Sequence, residues 1–255
     1  MRAQGVEIAN TKSSLVDVVT AADREAEQLV AEALRAARPQ DGLLGEEGLS
    51  APSISGITWV VDPIDGTVNY LYDLPSYAVS IAATVEDGAP GTMADGRRAV
   101  AGAVYVPALD ELFTAHEGGG SALNGHPIRV SDAEELALSL VATGFGYTVE
   151  RRTEQAEVVR QLIPRVRDIR RMGAAAVDLC NLAAGRLDAY YERGLAPWDF
   201  AAGALIAREA GAAILSLAEH ELPGEPMLIA GPPSLARGLR AEIQRAYASL
   251  PGNNR

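Results

Sequence analysis

At 255 residues the chain is long enough to bury a sizeable core, as one large domain or as two packed halves. Acidic side chains outnumber basic ones 34 to 22, and the formal charge of −12 repels phosphate backbones, which disfavours direct nucleic-acid binding. A single cysteine, Cys180, excludes an internal disulfide and a multi-cysteine zinc site and fits a reducing compartment. The start lacks the apolar core of a secretory signal, and no apolar run reaches the roughly 20 residues that cross a bilayer. The expectation is a cytoplasmic protein without a membrane partner.

In chain order, "GVEIAN" reads as a short strand and "TKSSLVDVV" as a loop. A helix follows over "TAADREAEQLVAEALRAARP", with Thr20 as its N-cap, Asp23 in the first turn and Pro39 closing it. "DGLLGEEGLSAPSISG" is turn-rich. "ITWVVD" is a β-branched run suited to a buried strand whose ladder Pro63 should stop. "YAVSIAATVEDG", "RRAVAGAVYVPALDELFTAHEG" and "GSALNGHPIRVS" alternate apolar runs with turns at Asp87-Gly88 and Asn124-Gly125, the pattern of an antiparallel meander. The triple glycine at 118–120 lacks a following Lys-Ser/Thr and reads as a turn, not a phosphate cradle.

From "LALSLVATGFGY" the texture becomes α/β. A strand precedes the polar helix "VERRTEQAEVVRQLIPRV", the basic stretch "RDIRRMG" and the small-residue helix "AAAVDLCNLAAG". "LDAYYERG" and "AAILSL" read as strands flanking the helix "WDFAAGALIAREAG". A soft boundary near residue 138 separates an N-terminal α+β half (1–138) from a C-terminal α/β half (139–255), packed as one body.

The stretch "WVVDPIDGTVNY" carries the chemistry. A strand ending at Asp62, a turn set by Pro63 and Asp65 beyond it aim two carboxylates at one point, with the Ile64 carbonyl left without a ladder partner. Such hard oxygen donors suit Mg²⁺. If Gly66 and Thr67 open a short helix, their N–H groups face the same place and can hold an anion. The pair alone is equally well explained as a helix cap. Glu46 and Glu47 in "LGEEG" and Asp199 in "PWDFAAG" add two more acidic clusters at element edges, which a cap does not explain.

The segments "GEEG", "WVVDPIDGTVNY", "YAVSIA", "GAVYVPALDELFTA", "LNGHPIRVS", "DAYYERG" and "WDFAAGALIAREAGA" together resemble the inositol monophosphatase family of Mg²⁺-dependent, lithium-sensitive phosphatases. The resemblance implies a layered αβαβα sandwich of the inositol monophosphatase and fructose-1,6-bisphosphatase type and a homodimer acting on a small phosphomonoester. It implies Glu46, Asp62 and the Ile64 carbonyl as ligands of a first Mg²⁺, Asp62, Asp65 and Asp199 as ligands of a second, and Glu46 facing a weaker third. It places phosphate contacts on Gly66 and Thr67 and has the Thr67 hydroxyl orient the attacking water. Asp23 is implied to support Thr67, Lys12 to belong to a mobile loop near the metals, Glu192 to accept a hydrogen bond from a substrate hydroxyl, and the Ala175 backbone to touch the inositol ring. Two such ions activate water and neutralise the leaving alkoxide without a covalent nucleophile.

The family's usual first amphipathic helix has no counterpart before "NTKSS". His116, His126 and His220 lack a ligand spacing and read as surface or packing residues. Trp59 and Trp198 read as packing beside the aspartates, Cys180 as core, and Arg170 and Arg171 as ion pairs with the acidic surplus, with a second anion or a dimer interface as their alternatives. Inositol 1-phosphate is the expected substrate. Histidinol phosphate or a broad range of sugar phosphates is the alternative within enzymes, and a transcription-associated binding protein the alternative outside them.

Overall fold

The computed structural model describes residues 8–11, 18–88, 93–222 and 226–250. Strands β1 (Ile8–Thr11) and β2 (Val18–Thr20) form an antiparallel pair. The loop expected over 11–19 therefore ends in a strand, and Lys12 lies outside the described residues. Helix α1 (Ala21–Ala37) begins directly after Thr20. Then come β3 (Gly42–Gly45), β4 (Ser50–Ala51), β5 (Ile57–Asp65), the short helix α2 (Thr67–Leu71), β6 (Ala78–Val85), β7 (Arg98–Val106), β8 (Glu111–His116), β9 (Ser121–Leu123) and β10 (His126–Ile128). They build an eight-stranded sheet in the order β10-β9-β8-β7-β6-β5-β3-β4. The expected meander is its long arm, β5 to β10, antiparallel throughout. Asn124 and Gly125 both take positive φ, 49° and 79°, as a two-residue hairpin turn demands.

The C-terminal half contributes β11 (Leu140–Thr143), α3 (Val149–Leu162), β12 (Asp168–Arg170), α4 (Ala175–Ala183), β13 (Ala189–Arg193), α5 (Pro197–Glu209), β14 (Ala213–Leu215), β15 (Met227–Gly231) and α6 (Pro233–Ala248). Its five strands run β12-β11-β13-β15-β14. The strand β15 and helix α6 carry no counterpart in the sequence reading, although "MLIAG" and "LARGLRAEI" have the texture of both elements.

Five layers follow from which faces are apolar. α1 covers the outer face of the first sheet through Ala31, Leu43 and Val61. The inner face, with Val60, Ala82, Val104 and Phe113, packs on α4 and α5, and these pack in turn on Tyr190, Leu228 and Ala230 of the second sheet. Alternate residues of the same strands, Ala189, Tyr191, Met227 and Ile229, face α3 and α6. This is the αβαβα sandwich. Small residues let the middle layer close: a Cβ on Gly102 of β7 would lie 3.1 Å from the Ala202 Cα of α5, and one on Gly203 would lie 2.9 Å from the Leu179 Cβ of α4.

A cavity walled by carboxylates

Pro63 does not stop β5. The strand continues to Asp65, pairing Asp62 with Ser80 and Asp65 with Ala78, so the extra residue is taken up in a bulge. A proline lacks the N–H for a ladder bond, and a bulge is where a strand tolerates that. The bulge turns Asp62, Ile64 and Asp65 toward one cavity of about 460 Å³, whose walls also include Glu46, Thr67, Glu192, Trp198 and Asp199. Asp62 and Asp65 are buried, 1% and 8% exposed. The chain then reverses at Gly66, φ 87°, where a Cβ would meet the Ser76 carbonyl oxygen at 2.9 Å and the Ala174 Cβ at 3.0 Å. Only glycine fits that position.

Three of the acids are held by backbone. Asp62 Oδ1 accepts from the Ile64 N–H at 3.0 Å, and Asp199, three residues into the turn that opens α5, accepts from the Ala196 N–H at 2.7 Å. Asp65 accepts from both Ala175 N–H (3.1 Å) and Ala176 N–H (2.7 Å). It thereby caps α4 from across the chain, where the local residue, Ala174, has no capping side chain. The Ala175 N–H is thus occupied by Asp65. On the α1 side, the Thr67 hydroxyl lies 3.0 Å from Asp23 Oδ1 and 3.2 Å from the Ile64 carbonyl oxygen, and it can donate to one of them at a time. Glu192 accepts from the Tyr190 hydroxyl at 2.6 Å, and its carboxylate lies so close to Gly144 that a Cβ there would stand 1.9 Å from Oε2.

The electrostatics are dominated by burial and by repulsion among the carboxylates. Burial, then Glu46, Asp65 and Asp199 as like charges, hold the Asp62 carboxyl well above the usual range. Burial and then Glu46 do the same for Asp199. Asp65 is pushed up to about 7, chiefly by burial, against the lowering pull of the Ala176 amide. Burial also raises Glu192. Glu46 and Asp199 line the same cavity as the Asp62 and Asp65 pair.

Among the described residues, no three His, Cys, Asp and Glu side chains are arranged to hold a metal ion as they stand. The donor set itself, four carboxylates and a main-chain carbonyl with no sulfur or imidazole, has the chemistry of a hard divalent cation site.

Residues outside the motifs complete the cavity. The stretch Gly144 to Thr148, with Arg151, Arg171 and Gly173, lines it. Arg170 pairs with Asp168 at 2.6 Å, as expected of a surface arginine, whereas Arg171 stands over the Phe145 ring at the cavity wall, 5.8 Å from its centroid. The glycines of "TGFGY" were the available signal, because a glycine pair flanking an aromatic marks close approach. Trp198, expected as packing, lines the cavity, whereas Cys180, Trp59 and His116 have the surroundings of core or packing residues. Cys180 is fully buried, the Trp59 Nε1 donates to Asp41 at 2.9 Å, and the His116 ring rests against Gly119.

The profile of the inositol monophosphatase family matches residues 2–248. The inositol-1-monophosphatase SuhB of Mycobacterium tuberculosis strain H37Rv is 45% identical over 243 residues, covering 92% of this chain and 80% of the relative. The Nus factor SuhB of Escherichia coli K12 is 38% identical over 233 residues, covering 89% and 83%. The crystal structure of the extragenic suppressor protein suhB from Bartonella henselae superposes with a TM-score of 0.84 at 34% identity, covering 96% of this chain and 90% of that one. With the family profile spanning nearly all its residues, the chain belongs to the inositol monophosphatase family and is a phosphatase.

Proposed function

We propose that the protein hydrolyses inositol 1-phosphate to inositol and phosphate with Mg²⁺ held by Glu46, Asp62, the Ile64 carbonyl, Asp65 and Asp199. The observation that carries this reading is the convergence of four carboxylates, three of them raised by burial and mutual repulsion, on one cavity. Left alone, that cavity would repel a phosphate dianion, and cations reverse the local sign. When bound, divalent ions supply a water of lowered pKa and neutralisation of charge on the phosphoryl and leaving oxygens.

The chain's own residues do the rest. Thr67, fixed by Asp23, orients the attacking water, and the amides of Gly66 and Thr67 face the phosphoryl oxygens. Glu192, steadied by Tyr190, accepts a hydroxyl of the polyol, so its ring is presented in one orientation. Lys12 belongs to a loop near the metals, and Ala175 contacts the ring through atoms other than its N–H. The two halves, joined near residue 138, act as one body in a cytoplasmic homodimer, which light scattering on a sizing column would test.

A phosphate-release panel with inositol 1-phosphate, histidinol phosphate, fructose 1,6-bisphosphate and phosphoadenosine phosphate, run with Mg²⁺ and with chelator, tests the reading. Inositol 1-phosphate should lead by kcat/KM and fall to background with chelator. Preference for histidinol phosphate or for several sugar phosphates alike would replace the substrate. A second reading is supported by the name of the E. coli relative: a role in transcription complexes, with phosphatase chemistry incidental. Mg²⁺-dependent turnover by the isolated protein at ordinary enzyme rates would weigh against it.

A further inference from the structure

Glu46 sits in a tight turn, Gly45 to Leu49, whose five consecutive amides all have partners. The Gly45 N–H donates to the Leu49 carbonyl at 2.8 Å, Glu46 N–H to the Val61 carbonyl at 3.1 Å and Gly48 N–H to the Gly45 carbonyl at 3.4 Å. The remaining two reach a side chain. The Glu47 N–H donates to Glu27 Oε1 at 2.8 Å and the Leu49 N–H to Glu27 Oε2 at 3.2 Å.

Glu27 is 2% exposed and lies one helical turn after Asp23 on the buried stripe of α1 that continues to Ala31. Gly45 makes room for it, since a Cβ there would stand 2.0 Å from Glu27 Oε1. A carboxylate offers each of the two amides its own oxygen and donates nothing, whereas the amide group of a glutamine in the same place offers one oxygen and turns an NH₂ toward the other N–H. Without it, two amides of the Glu46 turn lose their partners. The same helix turn thus fixes two opposite parts of the cavity: Asp23 holds the Thr67 hydroxyl, and Glu27 holds the backbone that brings Glu46 into the cavity beside Asp62.

We propose that Glu27 is a positioning residue: it fixes the Glu46 turn and acts on cation binding through Glu46 alone. This rests on the reading of the cavity as a divalent-cation site. A merely structural Glu27 would change stability and leave cation affinity untouched, so the test measures Mn²⁺ binding by calorimetry without substrate. It uses the wild type, Glu27→Gln, Glu27→Asp, Glu46→Gln and the double variant Glu27→Gln/Glu46→Gln, with circular dichroism to verify folding.

Glu27→Gln keeps the shape but turns one acceptor into a donor facing an N–H. It should weaken Mn²⁺ binding about 10- to 100-fold, the usual cost of losing a group that orients a ligand. Glu27→Asp, which keeps the charge, should recover part of that affinity. The double variant should bind no more weakly than Glu46→Gln alone. Wild-type-like affinity in a folded Glu27→Gln, additive losses in the double variant, or failure of both Glu27 variants to fold would each overturn the proposal. Absence of Mn²⁺ binding by the wild type would overturn the cation site itself, and the proposal with it.

Discussion

Single residues in the cavity are placed against their own stability. Asp62 is buried among Glu46, Asp65 and Asp199 with one backbone N–H as its anchor, an arrangement that raises its pKa and that a neutral residue would relieve. Asp62→Asn should therefore move two quantities in opposite directions. Turnover of inositol 1-phosphate should fall at least about 10²-fold, the scale of removing one group that stabilises transition-state charge. The melting temperature of the chelator-treated protein at pH 8 should rise. Wild-type turnover would contradict the ligand role, and a lower melting temperature would contradict the repulsion. Glu192 makes a different claim, about recognition. Glu192→Gln should raise KM for inositol 1-phosphate about 10- to 100-fold, the worth of a hydrogen bond to a charged group, while KM for an aryl phosphate lacking hydroxyls stays near wild type. Gly144→Ala, whose added Cβ would displace the Glu192 carboxylate, should reproduce that split. Equal effects on both substrates would show that Glu192 does not read the polyol.

Elements explain why part of this was legible in the sequence and part was not. The acids of "DPIDGT" and "WDFAAG" announce themselves because an anion beside glycine or proline at the end of an apolar run has few structural reasons to be there. The bulge was not legible: Pro63 within a strand is read as a stop, and only pairing with the whole length of β6 reveals that the ladder resumes at Asp65. Glu27 was hidden differently. It looks like one more acid on an amphipathic helix, and its signal is its place on the stripe Asp23, Glu27, Ala31, which buries acids where a helix normally buries aliphatics. The strand β15 pairs with β14, the strand before it, and also inserts beside β13, from which the whole of α5 and β14 separates it, so only one of its two partners is a sequence neighbour. Helix α5 also ties packing to the site, since it carries Asp199 and lies wedged between Gly102 of β7 and Leu179 of α4. Gly102→Val overfills that contact. It should cost about 1–3 kcal/mol of stability and lower Mn²⁺ affinity in the same protein, because the helix that is pushed away bears a ligand. Calorimetric melting together with a Mn²⁺ titration checks this, and lost stability with unchanged affinity would uncouple the helix from the site.

At the scale of the whole molecule, two groups of carboxylates titrate against each other, and their separation in pH makes the cavity visible in stability. Surface acids such as Glu157 and Asp132, held low by hydrogen bonds from Arg160 and Arg129, stabilise the fold above the ordinary carboxylate range and lose that contribution only in stronger acid. The cavity acids Asp62, Asp65 and Asp199 are raised, so the native chain binds more protons than the unfolded one, and their contribution is complete below the ordinary carboxylate range and is lost as the pH climbs through the raised values, about 7 for Asp65. Between pH 5 and 8 the lowered surface acids stay ionised in both states, and the change comes from raised buried acids, Glu192 and Asp178 among them. The melting temperature of the chelator-treated protein should therefore fall across that interval, by about 2–4 °C for each kcal/mol lost. Protons and divalent cations compete for the same oxygens, so Mg²⁺ should stabilise little at pH 5 and most at pH 8, where a concentration a hundred times Kd adds about 2.7 kcal/mol. Thermal scans at both pH values, with Mg²⁺ and with chelator at matched ionic strength, measure the difference. Equal Mg²⁺ effects at pH 5 and pH 8 would mean that the ion binds somewhere other than the raised carboxylates.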